Sequence, residues 1–261
     1  MAAVDLVAAE QGSGPPLLIL HGLFGSGRNW SSPAQRLGAA HRVFALDARN
    51  HGASPWTDSM TYADMTEDVQ AFQAARGLAP AAVIGHSMGG KTAMLLALNH
   101  GEAAVERLVV VDVAPVTYPP ALATYVRAMR AVDLAGVSRR AEVDAQLADA
   151  ITNPGERAFL LQNLVLENGR ARWRLNLPVL DRFMPDISGF PEPAAGVTFG
   201  GPALFIAGER SSYVRPEHRP TIERLFPQAR IVQVPEAGHW LHAERTEAFL
   251  ALVTPFLAGA G

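Results

Sequence analysis

The fold is decided by the stretch from Ala81 to Asn99, whose sequence is AAVIGHSMGGKTAMLLALN. It begins with the apolar run 81–84, passes through Ser87 with glycines on either side, and continues into residues 91–99, which favour a helix. The pattern G-x-S-x-G between a strand and a helix predicts a turn so tight that glycine is needed at the flanking positions. Such a turn lifts the serine hydroxyl above the sheet, where it can attack a substrate.

The same residues also fit a second motif, G-x-x-x-x-G-K-T, which forms the phosphate-binding P-loop of nucleotide-binding proteins. That loop would run from Gly85 through Lys91 to Thr92, with Asp112 as a candidate magnesium carboxylate. A P-loop usually follows the first strand of its domain, whereas at least two apolar runs precede this motif. We therefore favour the serine turn, and ATP binding that depends on Lys91 would distinguish the two.

Short apolar runs alternate with helix-like stretches over most of the chain, which predicts an α/β fold with a parallel sheet covered on both faces. The clearest predicted strands are residues 17–20, 43–46, 81–84, 108–111, 203–207 and 231–234. Between Pro115 and Phe190 the strand pattern disappears and apolar residues recur at helical spacing. The sequence therefore predicts a core made of residues 1–114 and 191–261, with residues 115–190 inserted as a small helical cap.

Composition indicates a soluble globular protein. The 261 residues suit one α/β domain with an insertion, and a net charge of -3 without charged blocks argues against a nucleic-acid partner. No apolar run reaches membrane-spanning length and the first twelve residues do not resemble a signal peptide, so we expect no membrane span and a cytoplasmic location. The absence of cysteine excludes a thiol nucleophile and thiolate metal sites. Monomer and homodimer are both compatible with the sequence.

A glycine-rich loop follows the first of these predicted strands, at the sheet edge where ligands bind in open α/β folds. Its sequence, HGLFG from His21 to Gly25, matches the H-G loop that supplies one oxyanion donor in serine hydrolases. We expect the backbone N–H groups of Leu23 and Met88 to bind the oxyanion, and Phe24 to line the pocket.

The general base is predicted to be His239, which follows the last strand and gives the chain order serine, acid, histidine. His86, beside the serine, is expected to point away at the tight turn. In many serine hydrolases the acid follows the next-to-last strand as G-x-x-D, but Ser211 occupies that place here. We assign the acid to Asp112, after the run 108–111, where a carboxylate would select the imidazole tautomer. Glu209 is the alternative acid.

Four strings along the chain resemble the YbfF-type esterases of the α/β-hydrolase superfamily. They are DARNHGAS at 47–54, GHSMGGKT at 85–92, VDVAPV at 111–116 and RWRLNL at 172–177. The resemblance spans nearly the whole chain and implies a mostly parallel sheet of about eight strands, flanked by helices and carrying a small helical cap. It also implies hydrolysis of short acyl esters or thioesters, with Asp112 as the acid and with Tyr118 and Tyr213 as pocket residues.

We therefore expect a serine carboxylesterase acting on a small acyl ester or thioester through an acyl-enzyme, with Ser87, His239 and Asp112 as its triad. No metal and no organic cofactor is expected. Carbon–carbon bond hydrolases and cofactor-free perhydrolases use the same triad, so both stay open as alternatives. A non-catalytic ligand-binding protein on this fold is the alternative from another class.

Overall fold

The apolar runs of the sequence form one central sheet in the computed structural model, which describes residues 2–259. In chain order the strands are β1 (Ala8–Gln11), β2 (Pro16–Leu20), β3 (Arg42–Leu46), β4 (Ala81–His86), β5 (Val105–Val111), β6 (Leu164–Glu167), β7 (Arg170–Trp173), β8 (Ala203–Gly208) and β9 (Ala229–Val234). The six predicted strands are all present. The central sheet has seven strands within the described residues, one fewer than the resemblance implied.

The order of the central sheet is β1-β3-β2-β4-β5-β8-β9. Among the described strands of this sheet, only the edge strand β1 is antiparallel to its neighbour, and the others run parallel. Parallel strands end at the same edge of a sheet, so Leu20, His86, Val111 and Gly208 bring their following loops to one place. The mostly parallel α/β sheet predicted from the sequence is confirmed.

Helices cover both faces of this sheet. In chain order they are α1 (Ser31–Leu37), α2 (Tyr62–Arg76), α3 (Met88–His100), α4 (Ala123–Ala131), α5 (Arg140–Leu147), α6 (Pro154–Leu161), α7 (Leu177–Arg182), α8 (Met184–Ser188), α9 (Arg219–Leu225), α10 (Leu241–Glu244) and α11 (Thr246–Leu257). Side chains alternate along β2, so that Leu17 and Ile19 belong to a buried cluster with residues of α1 and α11. Leu18 and Leu20 belong to a second cluster with residues of α2, α3 and α9. Within residues 2–259, no helix has the length and apolarity needed to cross a membrane.

The segment between β5 and β8 contains α4 to α8 and, in addition, a β-hairpin. The helical spacing of residues 115–190 predicts a helical cap and gives no strand pattern, so the hairpin differs from that prediction. Strands β6 and β7 pair antiparallel, with Leu164 opposite Trp173. Asn168 and Gly169 make the turn at φ of 52° and 70°, the left-handed conformation that two-residue hairpin turns require.

Apolar side chains of this segment pack over the loops that follow β2 and β4. Leu23, Phe24 and Met88 belong to one buried cluster with residues of α4 to α7. The hairpin joins the same layer, because the indole N–H of Trp173 donates to the carbonyl of Met129 on α4 at 3.0 Å. The helices and the hairpin of this segment thus pack as one layer over the loops at the carboxyl ends of β2 and β4.

Candidate active site

Ser87 lies at the strained turn between β4 and α3. Its backbone has φ of 52° and ψ of -117°, a conformation that residues with a side chain rarely adopt. A Cβ at Gly85 would lie 2.3 Å from the carbonyl oxygen of Gly89, and one at Gly89 would lie 2.3 Å from that of Leu20. Glycine is therefore required on both sides of the serine, as the G-x-S-x-G pattern predicts.

Asp112, at the end of β5, contacts the imidazole of His239. The carboxylate is fully buried, and its Oδ2 lies 2.7 Å from Nδ1 of the ring. Because a carboxylate can only accept, Nδ1 donates, which leaves the other ring nitrogen, Nε2, free to accept a proton. Two more donors hold the carboxylate: the N–H of Gly208, at 2.9 Å from Oδ1, and the hydroxyl of Ser211, which bonds Oδ2.

The alternative acid, Glu209, faces a different part of the surface. Its Oε2 accepts from the backbone N–H of Glu236 at 2.7 Å, and the side chain is exposed. The serine at position 211 therefore supports Asp112 by a hydrogen bond from the place where many serine hydrolases carry the acid itself. The geometry favours Asp112 over Glu209.

The two predicted oxyanion donors border the same space as the serine. Leu23 and Met88 line a cavity together with Ser87. Met88 is the first residue of α3, so its N–H lies outside the hydrogen bonds of the helix and at the positive end of the helix dipole. Phe24 is buried beside them, and its carbonyl accepts from the amide of Asn163 at 2.8 Å.

Both predicted pocket tyrosines border a cavity that Ser87 also borders. The ring of Tyr213 stacks on that of His239, with centroids 4.1 Å apart. The hydroxyl of Tyr118 donates to the carbonyl of Tyr213 at 2.5 Å and accepts from the N–H of Ala114 at 2.8 Å. Burial raises the pKa of both phenols above their usual value, so both stay neutral.

The expectation that His86 points away from the site is wrong. Its ring centroid lies 4.6 Å from that of His239, and its Nε2 lies 2.9 Å from the carbonyl oxygen of the same residue. Burial lowers the pKa of His86 well below its usual value, so the ring is neutral and its Nε2–H donates. The sequence shows only that His86 adjoins the turn, because the loop that receives its ring lies 153 residues away.

Lys91 is buried one helical turn after the serine. Its ammonium group donates to the carbonyl of Ser188 at 2.8 Å and to that of Gly189 at 2.5 Å. Burial lowers the pKa of this lysine to about 7. A P-loop lysine reaches the phosphates of a nucleotide, whereas this one reaches backbone carbonyls at the carboxyl end of α8, which argues against the nucleotide-binding interpretation.

Two cavities meet at Ser87. One, which we call the lysine-side cavity, has a volume of about 440 Å³ and is bordered by Tyr62, Lys91, Val113, Tyr118, Met184 and Ile187. The other, the tryptophan-side cavity, has a volume of about 620 Å³ and is bordered by Phe24, Tyr125, Glu156, Phe159, His239 and Trp240. Over the described part of the chain, no group of three or more metal-ligating side chains could hold an ion.

Comparison with known proteins identifies the class. A family model described as the alpha/beta hydrolase fold matches residues 15–246, so the chain belongs to the α/β-hydrolase family. The esterase YbfF of Escherichia coli is 35% identical and is matched over 96% of either chain, which confirms the resemblance seen in the sequence motifs.

Two further relatives carry related names. The sn-1-specific diacylglycerol lipase ABHD11 of Mus musculus is 45% identical over 94% of this chain and 81% of its own length. A solved structure named marine microorganism esterase is 37% identical, with a TM-score of 0.92 over 97% of this chain and all of that one. The names of these relatives support a carboxylic ester hydrolase.

Proposed function

We propose that this chain is a serine carboxylesterase for short-chain acyl esters, with Ser87 as nucleophile, His239 as general base and Asp112 as the orienting acid. The proposal depends on one observation above all, the 2.7 Å contact between the imidazole and a fully buried carboxylate. The same imidazole borders a cavity that Ser87 also borders, as a general base must. Esterase and lipase relatives over most of the chain length support the same reaction.

In the proposed reaction, Nε2 of His239 takes the proton of Ser87 as the serine oxygen attacks the acyl carbon. Charge develops on the carbonyl oxygen, where the N–H groups of Leu23 and Met88 stabilise it. The imidazolium, stabilised by Asp112, then protonates the leaving alcohol. A water molecule activated by the same histidine hydrolyses the acyl-enzyme and frees the serine.

We also propose that residues 115–190 act as a cap that excludes water from the ester. Their buried cluster includes Leu23, Phe24 and Met88, which border the serine. In a site with little water, the oxyanion donors act more strongly than they would in solvent. Thioesters present the same acyl carbon, so a panel of acyl esters and thioesters compared by kcat/KM would define the preferred substrate.

The decisive experiment is Ser87→Ala assayed with p-nitrophenyl acetate. We expect kcat to fall by roughly four to six orders of magnitude, because the nucleophile is lost while the fold is kept. A fluorophosphonate probe should label the wild-type protein at Ser87 and leave the variant unlabelled. Turnover that survives the substitution nearly unchanged would disprove the proposal, and absence of labelling would favour the non-catalytic binding protein.

A further inference from the structure

The tryptophan-side cavity carries one acidic side chain among aromatic rings. The acid is Glu156 on α6, and the rings include those of Tyr125, Phe159 and Trp240. The hydroxyl of Tyr125 donates to Oε2 of the carboxylate at 2.5 Å. Its other oxygen, Oε1, has no hydrogen bond or ion pair with the described residues, and no lysine or arginine lines this cavity.

The positions of the two cavities indicate which part of an ester each would hold. His239 borders the tryptophan-side cavity and does not border the lysine-side cavity. The general base that takes the serine proton must also deliver it to the departing alcohol oxygen. The alcohol of a bound ester would therefore lie on the side of His239, in the tryptophan-side cavity, and the acyl chain would lie in the lysine-side cavity.

We propose that the tryptophan-side cavity is a subsite for a positively charged alcohol, such as a quaternary ammonium alcohol, and that Glu156 determines this specificity. The inference rests on the proposed esterase function. A carboxylate attracts a cation, and aromatic rings attract it as well through their negative faces. Hydroxyl groups of a neutral polyol could bond the carboxylate, but the rings would add little. An anionic leaving group would be repelled by Glu156.

The proposed reaction needs no further reactant beyond water. Ser87 Oγ forms a bond to the acyl carbon, the ester C–O bond breaks, and the alcohol oxygen receives the proton that His239 took from the serine. The charge of the ammonium group is unchanged throughout, so Glu156 acts on binding and orientation of the substrate. The role of Glu156 can be tested with two substrates of equal shape, one charged and one neutral. A purely structural role of this residue would not create a preference between them.

The experiment compares kcat/KM for acetylcholine with that for 3,3-dimethylbutyl acetate, in which carbon replaces the charged nitrogen. We expect the wild-type protein to prefer acetylcholine by about tenfold, as suits one partly solvated charge pair with cation–π support. Glu156→Gln keeps an acceptor for Tyr125 and should abolish the preference. The matched control is Glu167→Gln, which removes the same charge from an exposed side chain at the end of β6 that lines neither cavity, and this variant should keep the preference.

Equal rates for the two substrates in the wild-type protein, or a preference that survives Glu156→Gln, would overturn the inference. Calorimetry of choline and 3,3-dimethylbutanol binding tests the cation subsite separately from the esterase proposal, because it measures affinity without hydrolysis. If no ester is turned over but choline still binds more tightly and the difference depends on Glu156, the cation subsite is supported and the hydrolase is not. Equal binding of the two alcohols would overturn the subsite.

Discussion

The most informative perturbation of the proposed triad is Asp112→Asn, which changes one atom of a buried carboxylate. Three donors converge on this group: the N–H of Gly208, the hydroxyl of Ser211 and Nδ1–H of His239. The asparagine carbonyl can still accept from Gly208. The new NH₂ group replaces Oδ2 and donates, so both groups that faced Oδ2 must become acceptors.

The two neighbours adapt with different consequences. The hydroxyl of Ser211 can rotate and accept at little cost. The imidazole of His239 can accept only by moving its proton from Nδ1 to Nε2, and the ring then cannot take the serine proton. We expect kcat to fall on the order of ten-thousandfold, which corresponds to about 5 kcal/mol in the activation barrier. All polar groups keep partners, so the free energy of unfolding should change by no more than about 2 kcal/mol.

The assay is kcat for p-nitrophenyl acetate, with urea unfolding measured on the same preparations. Glu209→Gln is the control, because this exposed carboxylate bonds only the backbone N–H of Glu236 among the described residues, and it should leave kcat close to the wild-type value. A mild loss in Asp112→Asn together with a severe loss in Glu209→Gln would refute the assignment. Severe loss of stability in Asp112→Asn would refute the argument that its neighbours adapt.

Two further predictions concern the groups around the triad. Ser211→Ala removes one of three donors to the buried carboxylate, so kcat should fall about tenfold with KM nearly unchanged. Ser211→Thr keeps the hydroxyl and should recover most of the rate. Equal rates in the two variants would contradict this role of the hydroxyl. Burial lowers the pKa of Lys91 to about 7, so between that pH and about 10 the unfolded chain binds more protons and this lysine makes stability rise with pH. In Lys91→Met, the free energy of unfolding should no longer rise over this pH range. The measurement is urea unfolding at several pH values, and the same pH dependence in the wild type and the variant would contradict the prediction.

Much of the fold could be predicted because its signals are local. The strands 17–20 and 81–84 are continuous apolar runs, as strands buried on both faces must be. The edge strand β1, by contrast, has the sequence Ala-Ala-Glu-Gln and is half exposed, so it carries no such run. It forms because its backbone pairs with β3, a contact across more than thirty residues of chain.

The hairpin in the segment 115–190 is a different case, since its signal was present in the sequence. Asn168-Gly169 lies between Leu164–Glu167 and Arg170–Trp173, and an Asn-Gly pair between short strands is a strong indication of a two-residue turn. Apolar residues at helical spacing lie on both sides of this pair and predict helices there. The two strands are short, and the second has few apolar residues. Their strand pattern is therefore weak beside the helical pattern of the surrounding sequence.

Within the candidate site, the sequence indicated which residue types to look for and not how distant loops orient them. Motifs and chain order predict Ser87 and His239, and a place directly after a strand predicts Asp112. The hydroxyl of Ser211 gains its contact only when the loop after β8 meets Asp112 at the end of β5. The ring of His86 gains its contact only when the loop after β9 meets the end of β4. No local pattern records such a meeting, because it depends on the order of the strands in the sheet.

The left-handed backbone at Ser87 has a consequence for directed evolution of this protein. A residue with a side chain in such a conformation costs on the order of 1–3 kcal/mol, and glycine would relieve that cost. The serine oxygen has no hydrogen bond to the described residues that glycine would forfeit. Selection for heat resistance alone would therefore favour Ser87→Gly, and a library sorted only by melting temperature would enrich inert enzymes.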